Sequence, residues 1–368
     1  MINRVRRMCL TAVIFTAMIC PYATSFACTD FIIQAEDGTI INARTNEFGI
    51  PADSNIVFEP AGKAFSSTAP DGQKGLSWTS RYSFLGLNGM GMEENFVDGI
   101  NEAGLSVGLL LFTESKFEAV DKDNAGSALS ILDFCGWILG NFASVEELKK
   151  ELPKVRVWSQ NIPKLAAPLP LHAAVHDDQG NSIVIEFIEG EKRVYDNKIG
   201  VMTNLPEFPW QLTNLRAYLN LNPLNAAQKE FSGVTIKPFG QGNGWLGLPA
   251  DWSSPSRFVR IAQILHAVYP VKDTKDALSL AEHVINTVDI PLGVIREKEE
   301  NGSVVSEYTQ WTVFKDLTNR ILYFKSYDNS NLRFIDLNEL AIDNKSTVKT
   351  IPVSEGGAPL DLTDKLTD

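Results

Sequence analysis

The chain has 368 residues, 44% hydrophobic and 21% charged, with seven Trp and twenty Phe, so it has material for a large buried core; a disordered chain, a collagen-like fibre and a small disulfide scaffold are excluded. Its 33 basic residues are outweighed by 45 acidic ones, which argues against nucleic acid as a partner.

Arg4, Arg6 and Arg7 precede an apolar run from Cys9 to Cys20, and Ser25-Phe26-Ala27 follows as a small-x-small triplet at cleavage distance. This is the three-part pattern of an export signal. Twelve residues of helix span about 18 Å, too little for a hydrocarbon core roughly 30 Å thick, so residues 1–27 are expected to be a cleavable signal and not an anchor. The protein is then periplasmic or secreted, and a single domain is expected over residues 28–368.

Cleavage after Ala27 places Cys28 at a new N-terminus, and three readings compete for it. An acylated lipoprotein cysteine would sit there, but Ser25-Phe26-Ala27 is a poor approach sequence for one. A disulfide with Cys135 is the default for two cysteines outside the cytoplasm. Cys135, however, lies in an apolar stretch with helical spacing, Ile131 to Leu139, where a free cysteine acts as a small hydrophobe. In the third reading, which we favour, the α-amine of Cys28 is the general base for its own thiol. Its ordinary pKa of about 7.7–8.0 suits that task and no histidine is needed.

Downstream, Asp30 to Arg44 alternates around Asp37-Gly38 and predicts a hairpin. Further hairpins are predicted for 182–188 with 192–195, joined at Glu189-Gly190, and for 308–314 with 320–325, joined through Asp316 to Asn319. Helices are predicted over 128–139, after the capping box Ser144-Val-Glu-Glu147 up to Pro153, from N-cap Ser254 and Pro255 through Ile264, and over 273–288. Strands, then helices, then strands without β-α alternation indicate an α+β fold.

Other chemistries find less support. A cysteine–histidine hydrolase would need one of four histidines, His172, His176, His266 or His283, beside a cysteine, and nothing local marks such a pair. His172 and His176 read better as a strand entering the turn at 177–180 than as a metal pair, and no third ligand is nearby. Gly86 to Gly91 lacks the spacing and lysine of a phosphate cradle and reads as a loop over the site. No cofactor and no metal are expected.

Five motifs then stand in order: Cys28-Thr-Asp-Phe; Arg44-Thr-Asn-Glu47; Asn101-Glu-Ala-Gly-Leu105; Met202-Thr-Asn204-Leu-Pro with Leu212-Thr-Asn-Leu-Arg216; and Ser253-Ser-Pro-Ser-Arg257-Phe. Together, from Cys28 to about Tyr327, they resemble the choloylglycine hydrolase family, which contains bile salt hydrolases and penicillin V acylases. The resemblance implies a four-layer αββα sandwich of the N-terminal-nucleophile hydrolases, cleavage of a linear amide C–N bond, and a homotetramer. By position it makes Cys28 the nucleophile, Arg44 the guanidinium beside its sulfur, Asn204 an oxyanion donor and Arg257 a second buried arginine, a cation early in a helix that opposes the macrodipole and so needs a carboxylate partner or a functional reason.

Two positions depart from the family pattern. Glu47 stands where the family has aspartate, as the expected orienter of the amine. Leu111 stands where asparagine or tyrosine is usual, so the second oxyanion contact must be a backbone N–H. Leu109 to Phe112, with Leu111 and Phe112 as substrate contacts, suggests an apolar acyl pocket. Penicillin V-type and N-acyl homoserine lactone amides are therefore expected above conjugated bile salts as substrates. The rival is a non-catalytic, lipid-anchored binding module of the same fold.

Overall fold

The computed structural model describes residues 27–162, 167–298, 302–342, 347–355 and 357. The expected signal, apart from Ala27, lies outside the described residues. The chain opens with the predicted hairpin, β1 (Thr29–Gln34) and β2 (Ile40–Phe48). Its turn carries Gly38 at φ 92°, and the Asp37 carboxylate accepts from the Thr39 N–H at 2.9 Å.

A second sheet follows: β3 (Asn55–Glu59), β4 (Phe84–Gly89), β5 (Met92–Asn101), β6 (Ser106–Leu111), β7 (Leu171–His176), β8 (Ser182–Ile188) and β9 (Glu191–Asp196). The chain then returns to the first sheet with β10 (Val201–Met202), β11 (Ile295–Lys298), β12 (Val304–Asp316), β13 (Ile321–Ser326) and β14 (Asn329–Asp336). It closes with β15 (Lys349–Pro352) on the edge of the second. The first sheet has the order β10-β1-β2-β12-β13-β14, with β11 on β12; the second runs β9-β8-β7-β6-β5-β4-β3-β15. Every pairing in both is antiparallel.

Helices cover the outer faces. α1 (Ile131–Asn141) packs on β5 and β6, followed by α2 (Val145–Glu151); α3 (Phe208–Asn214), α4 (Ser254–Ala267) and α5 (Thr274–Ile285) belong to the other side, where α4 and α5 cover β1 and β2. Between the sheets Ile40, Trp311 and Val313 meet Ile56, Leu85 and Ile100. The result is the expected α+β, four-layer αββα sandwich. Gly99 allows α1 its close seat on β5, because a Cβ there would lie 2.4 Å from the Leu85 carbonyl oxygen and 2.5 Å from Leu139 Cδ1. Among the described residues no helix is long and apolar enough to cross a membrane.

Three local predictions need correction. Residues 128–130 are not helical but pair in parallel with 156–158, and Ser130 caps α1 by accepting from the Leu132 N–H at 3.2 Å. Ser253 and not Ser254 is the N-cap of α4, which frees the Ser254 hydroxyl for other work. The glycine-rich segment is strand β4 as far as Gly89, and only Met90-Gly91 forms a turn. Gly86 is needed there because the Phe96 ring lies 2.5 Å from where its Cβ would be.

Candidate active site

Thr29 opens β1, so Cys28 sits at the lip of the first sheet with its side chain buried, beside β2. Its N–H donates to Asn204 Oδ1 at 2.8 Å. The same oxygen accepts from Arg257 NH2 at 2.8 Å, while Asn204 Nδ2 donates to the Leu111 carbonyl at 2.8 Å. Asn204 lies two residues past the end of β10, and its own N–H is anchored on the freed Ser254 hydroxyl at 2.9 Å. An amide side chain carries two N–H donors, so one Nδ2 hydrogen remains for a further acceptor.

Arg257, in the first turn of α4, points back to the strand end. NH1 donates to the Cys28 carbonyl at 2.5 Å and to Thr29 Oγ1 at 2.6 Å, and Nε donates to the Trp252 carbonyl at 2.9 Å. Of the two reasons expected for a cation here, a carboxylate partner or a functional role, the first is absent from its hydrogen bonds among the described residues. Carbonyl and hydroxyl oxygens satisfy it, and the negative field comes from Glu47 and Glu307 at longer range.

Arg44 lies on β2, where strand alternation turns it inward to the facing sheet. It is buried, bonded to the carbonyls of Val97 and Leu109 at 2.8 and 2.5 Å and paired with Asp98 at 2.9 Å. The Trp311 ring centroid lies 5.3 Å from its guanidinium carbon. A surface salt bridge at a strand end is thereby excluded.

Glu47 follows a bulge in β2. Its carboxylate does not hydrogen-bond to the Cys28 nitrogen; it accepts from Thr45 Oγ1 at 3.0 Å and Thr309 Oγ1 at 2.6 Å. Thr45 Oγ1 in turn accepts from the Thr29 N–H at 3.2 Å, so Glu47 orients the start of β1 at one remove. Burial raises the Glu47 carboxyl to about 7, against the opposing charge of Arg257. The Cys28 thiol is pushed up by burial, pulled down by the Arg44 charge and pushed up again by Glu47.

Cys28 and Glu47 border a cleft of about 510 Å³, its open mouth included, lined also by Phe48, Met90, Leu109, Leu111 and Leu171 among others. The lining is apolar but for Asn46, Glu47 and Ser54, whose hydroxyl oxygen accepts from the Trp311 indole N–H at 3.0 Å. Phe112, expected beside Leu111 as a substrate contact, does not reach the cleft. It is fully buried and stacks on His172 with ring centroids 4.8 Å apart. The reason is the two-residue period of a strand, which sends Leu109 and Leu111 one way and their neighbours the other.

No histidine lines the cleft; His176 on β7 is paired with Asp30, Nε2 to Oδ1 at 2.7 Å, and both Cys28 and Cys135 are unpaired. Gln310 was invisible in the sequence reading. Its amide nitrogen donates to the carbonyls of Phe48 and Ile50, and its oxygen accepts from the Ala52 N–H, so it fixes one wall of the cleft. Asp98, three residues before Asn101, was also missed, although its place beside a recognised motif could have flagged it.

Residues 28–350 match the family described as linear amide C-N hydrolases, choloylglycine hydrolase family. A bile salt hydrolase/transferase of Clostridium perfringens is 32% identical over 334 residues, which is 88% of this chain and 96% of that protein. The solved structure of a variant of conjugated bile acid hydrolase from Clostridium perfringens superposes with a TM-score of 0.79 at 29% identity, covering 91% of this chain and 100% of that one. Penicillin V acylase from Agrobacterium tumefaciens gives a TM-score of 0.72 at 25% identity, covering 90% and 94%.

Proposed function

The chain belongs to the choloylglycine hydrolase family of linear amide C–N hydrolases, and we propose that it cleaves amides of apolar acyl groups with Cys28 as nucleophile, its amine freed by removal of residues 1–27 during export. The observation that carries this reading is the grip of Asn204 Oδ1 on the Cys28 nitrogen at 2.8 Å, at the end of an apolar cleft and with no histidine in reach.

Burial keeps the proton on the Cys28 sulfur, so a base is required, and the residue's own amine is the group covalently within reach. The neighbouring Arg257 cation disfavours a protonated amine and so favours its free-base form. Attack of the thiolate on the amide carbon creates an oxyanion, which takes the remaining Asn204 Nδ2 hydrogen and a backbone N–H, because Leu111 offers no side-chain donor. Collapse expels the amine portion, which takes up a proton from the Cys28 ammonium, and leaves an acyl-thioester. Water, deprotonated by the Cys28 amine, releases the acid.

Phenoxyacetyl and N-acyl homoserine lactone amides fit this cleft better than conjugated bile salts, whose hydroxyl groups would find few unpaired polar partners in its lining. Side-by-side hydrolysis of penicillin V, an N-acyl homoserine lactone and glycocholate tests the order; preference for glycocholate reverses it. Intact mass and N-terminal sequencing of the exported protein test the premise. A chain starting at a free Cys28 whose Cys28→Ala form is folded and inactive supports the enzyme; retained turnover refutes it, and an acylated or blocked end supports a lipid-anchored binder.

A further inference from the structure

Lys315 is a fully buried lysine on β12 that donates to Asp98 Oδ1 at 2.7 Å. Burying an ammonium costs several kcal/mol, which only close ion pairing and hydrogen bonds offset. The other oxygen of Asp98 holds Arg44 at 2.9 Å, so one carboxylate on β5 is shared by two cations from the facing sheet. Gly108 on β6 leaves room for this cluster, since a Cβ there would stand 3.1 Å from both Arg44 Cδ and Asp98 Oδ2.

A lone Asp98–Arg44 pair would be neutral overall, and its field at a nearby sulfur would largely cancel. Asp30 adds to the problem: its carboxylate, held by His176 Nε2 at 2.7 Å and Asn42 Nδ2 at 3.1 Å, also acts on Arg44. The other charges acting on Cys28 are Glu47 and Arg257. We propose that Lys315 is a positioning residue for the Cys28 chemistry: it is the second cation that balances Asp98 and Asp30, so that the carboxylates holding Arg44 in place do not leave the cluster net negative toward the sulfur. The inference rests on Cys28 being the working thiol, and it assigns Asp98 and Lys315 as one unit acting through Arg44.

The test is the pH dependence of Cys28 alkylation by iodoacetamide in the mature protein, where the thiolate forms the S–C bond and iodide leaves. Peptide mass spectrometry separates Cys28 from Cys135. Lys315→Met should move the midpoint up by about one pH unit, tenfold less thiolate below it, while Lys315→Arg keeps it near wild type. Asp98→Asn/Lys315→Met removes one charge of each sign and should bring the midpoint back, an outcome that a merely structural lysine does not predict. An unmoved midpoint in folded Lys315→Met, or a double variant as shifted as the single one, overturns the proposal. Should Lys315→Met fail to fold, the double variant alone decides, and an upward shift there overturns it. Turnover surviving in Cys28→Ala would instead refute the nucleophile, which the alkylation curve does not measure.

Discussion

Replacing Asn204 with alanine should separate catalysis from binding. The side chain makes three buried hydrogen bonds at 2.8 Å: from the Cys28 N–H, from Arg257 NH2 and to the Leu111 carbonyl. Truncation leaves a buried guanidinium N–H and a buried main-chain N–H without acceptors. At about 1–3 kcal/mol for each of the two orphaned groups, the expected loss of stability is about 2–6 kcal/mol, readable by denaturant titration. The catalytic loss is separate, because one oxyanion donor lowers the barrier by about 2.7–4 kcal/mol, or 100- to 1,000-fold in kcat. KM should move little, since the donor acts on charge that develops only after binding. Initial rates at 25 °C on protein verified as folded and started at Cys28 are the assay. A kcat within about threefold of wild type would refute the oxyanion assignment, and a rise in KM at constant kcat would recast Asn204 as a binding group.

Glu307 supplies a pH prediction. It is buried beside Glu47, its Oε2 has no hydrogen-bond partner, and burial, with Glu297 and Glu47 adding to it, raises its carboxyl to about 8. The folded form therefore holds a proton that the unfolded chain has released, so stability falls as pH rises from about 4.5 to about 8 and the penalty is complete above that. Glu307→Gln should be stabilised more at pH 8.5 than at pH 5, by more than about 1 kcal/mol in denaturant midpoints converted to free energy; parallel curves would refute it. The homotetramer remains a proposal with a surface to test: a short hairpin, 229–231 with 234–236, exposes Phe231, Val234 and Ile236, and Phe239 beyond it is exposed as well. Light scattering of the eluting protein should give four chain masses, and Phe231→Ser/Ile236→Ser should lower that number; a monomer in both forms contradicts it.

What was legible in the sequence was local or positional. The Asp37-Gly38 turn, the capping of α2 by Ser144, the strand at 171–176 and the spacing of Cys28, Arg44, Asn204 and Arg257 each depend on period, turn chemistry or order along the chain. These were enough for the α+β class, and the motif order was enough for the family. Partnership was not legible. Asp98 meets Arg44 across 54 positions and Lys315 across 217 because the two sheets stack, and Glu47 meets Thr309 across 262 because β2 and β12 pair side by side in the first sheet. The same limit explains the misplaced Phe112: an unbroken apolar run gives hydrophobicity but not direction, and only the pleat of β6, set by its pairing with β7, decides which side chains enter the cleft. Composition and local pattern determined which residues could do chemistry; stacking of the two sheets decided which of them share a charge.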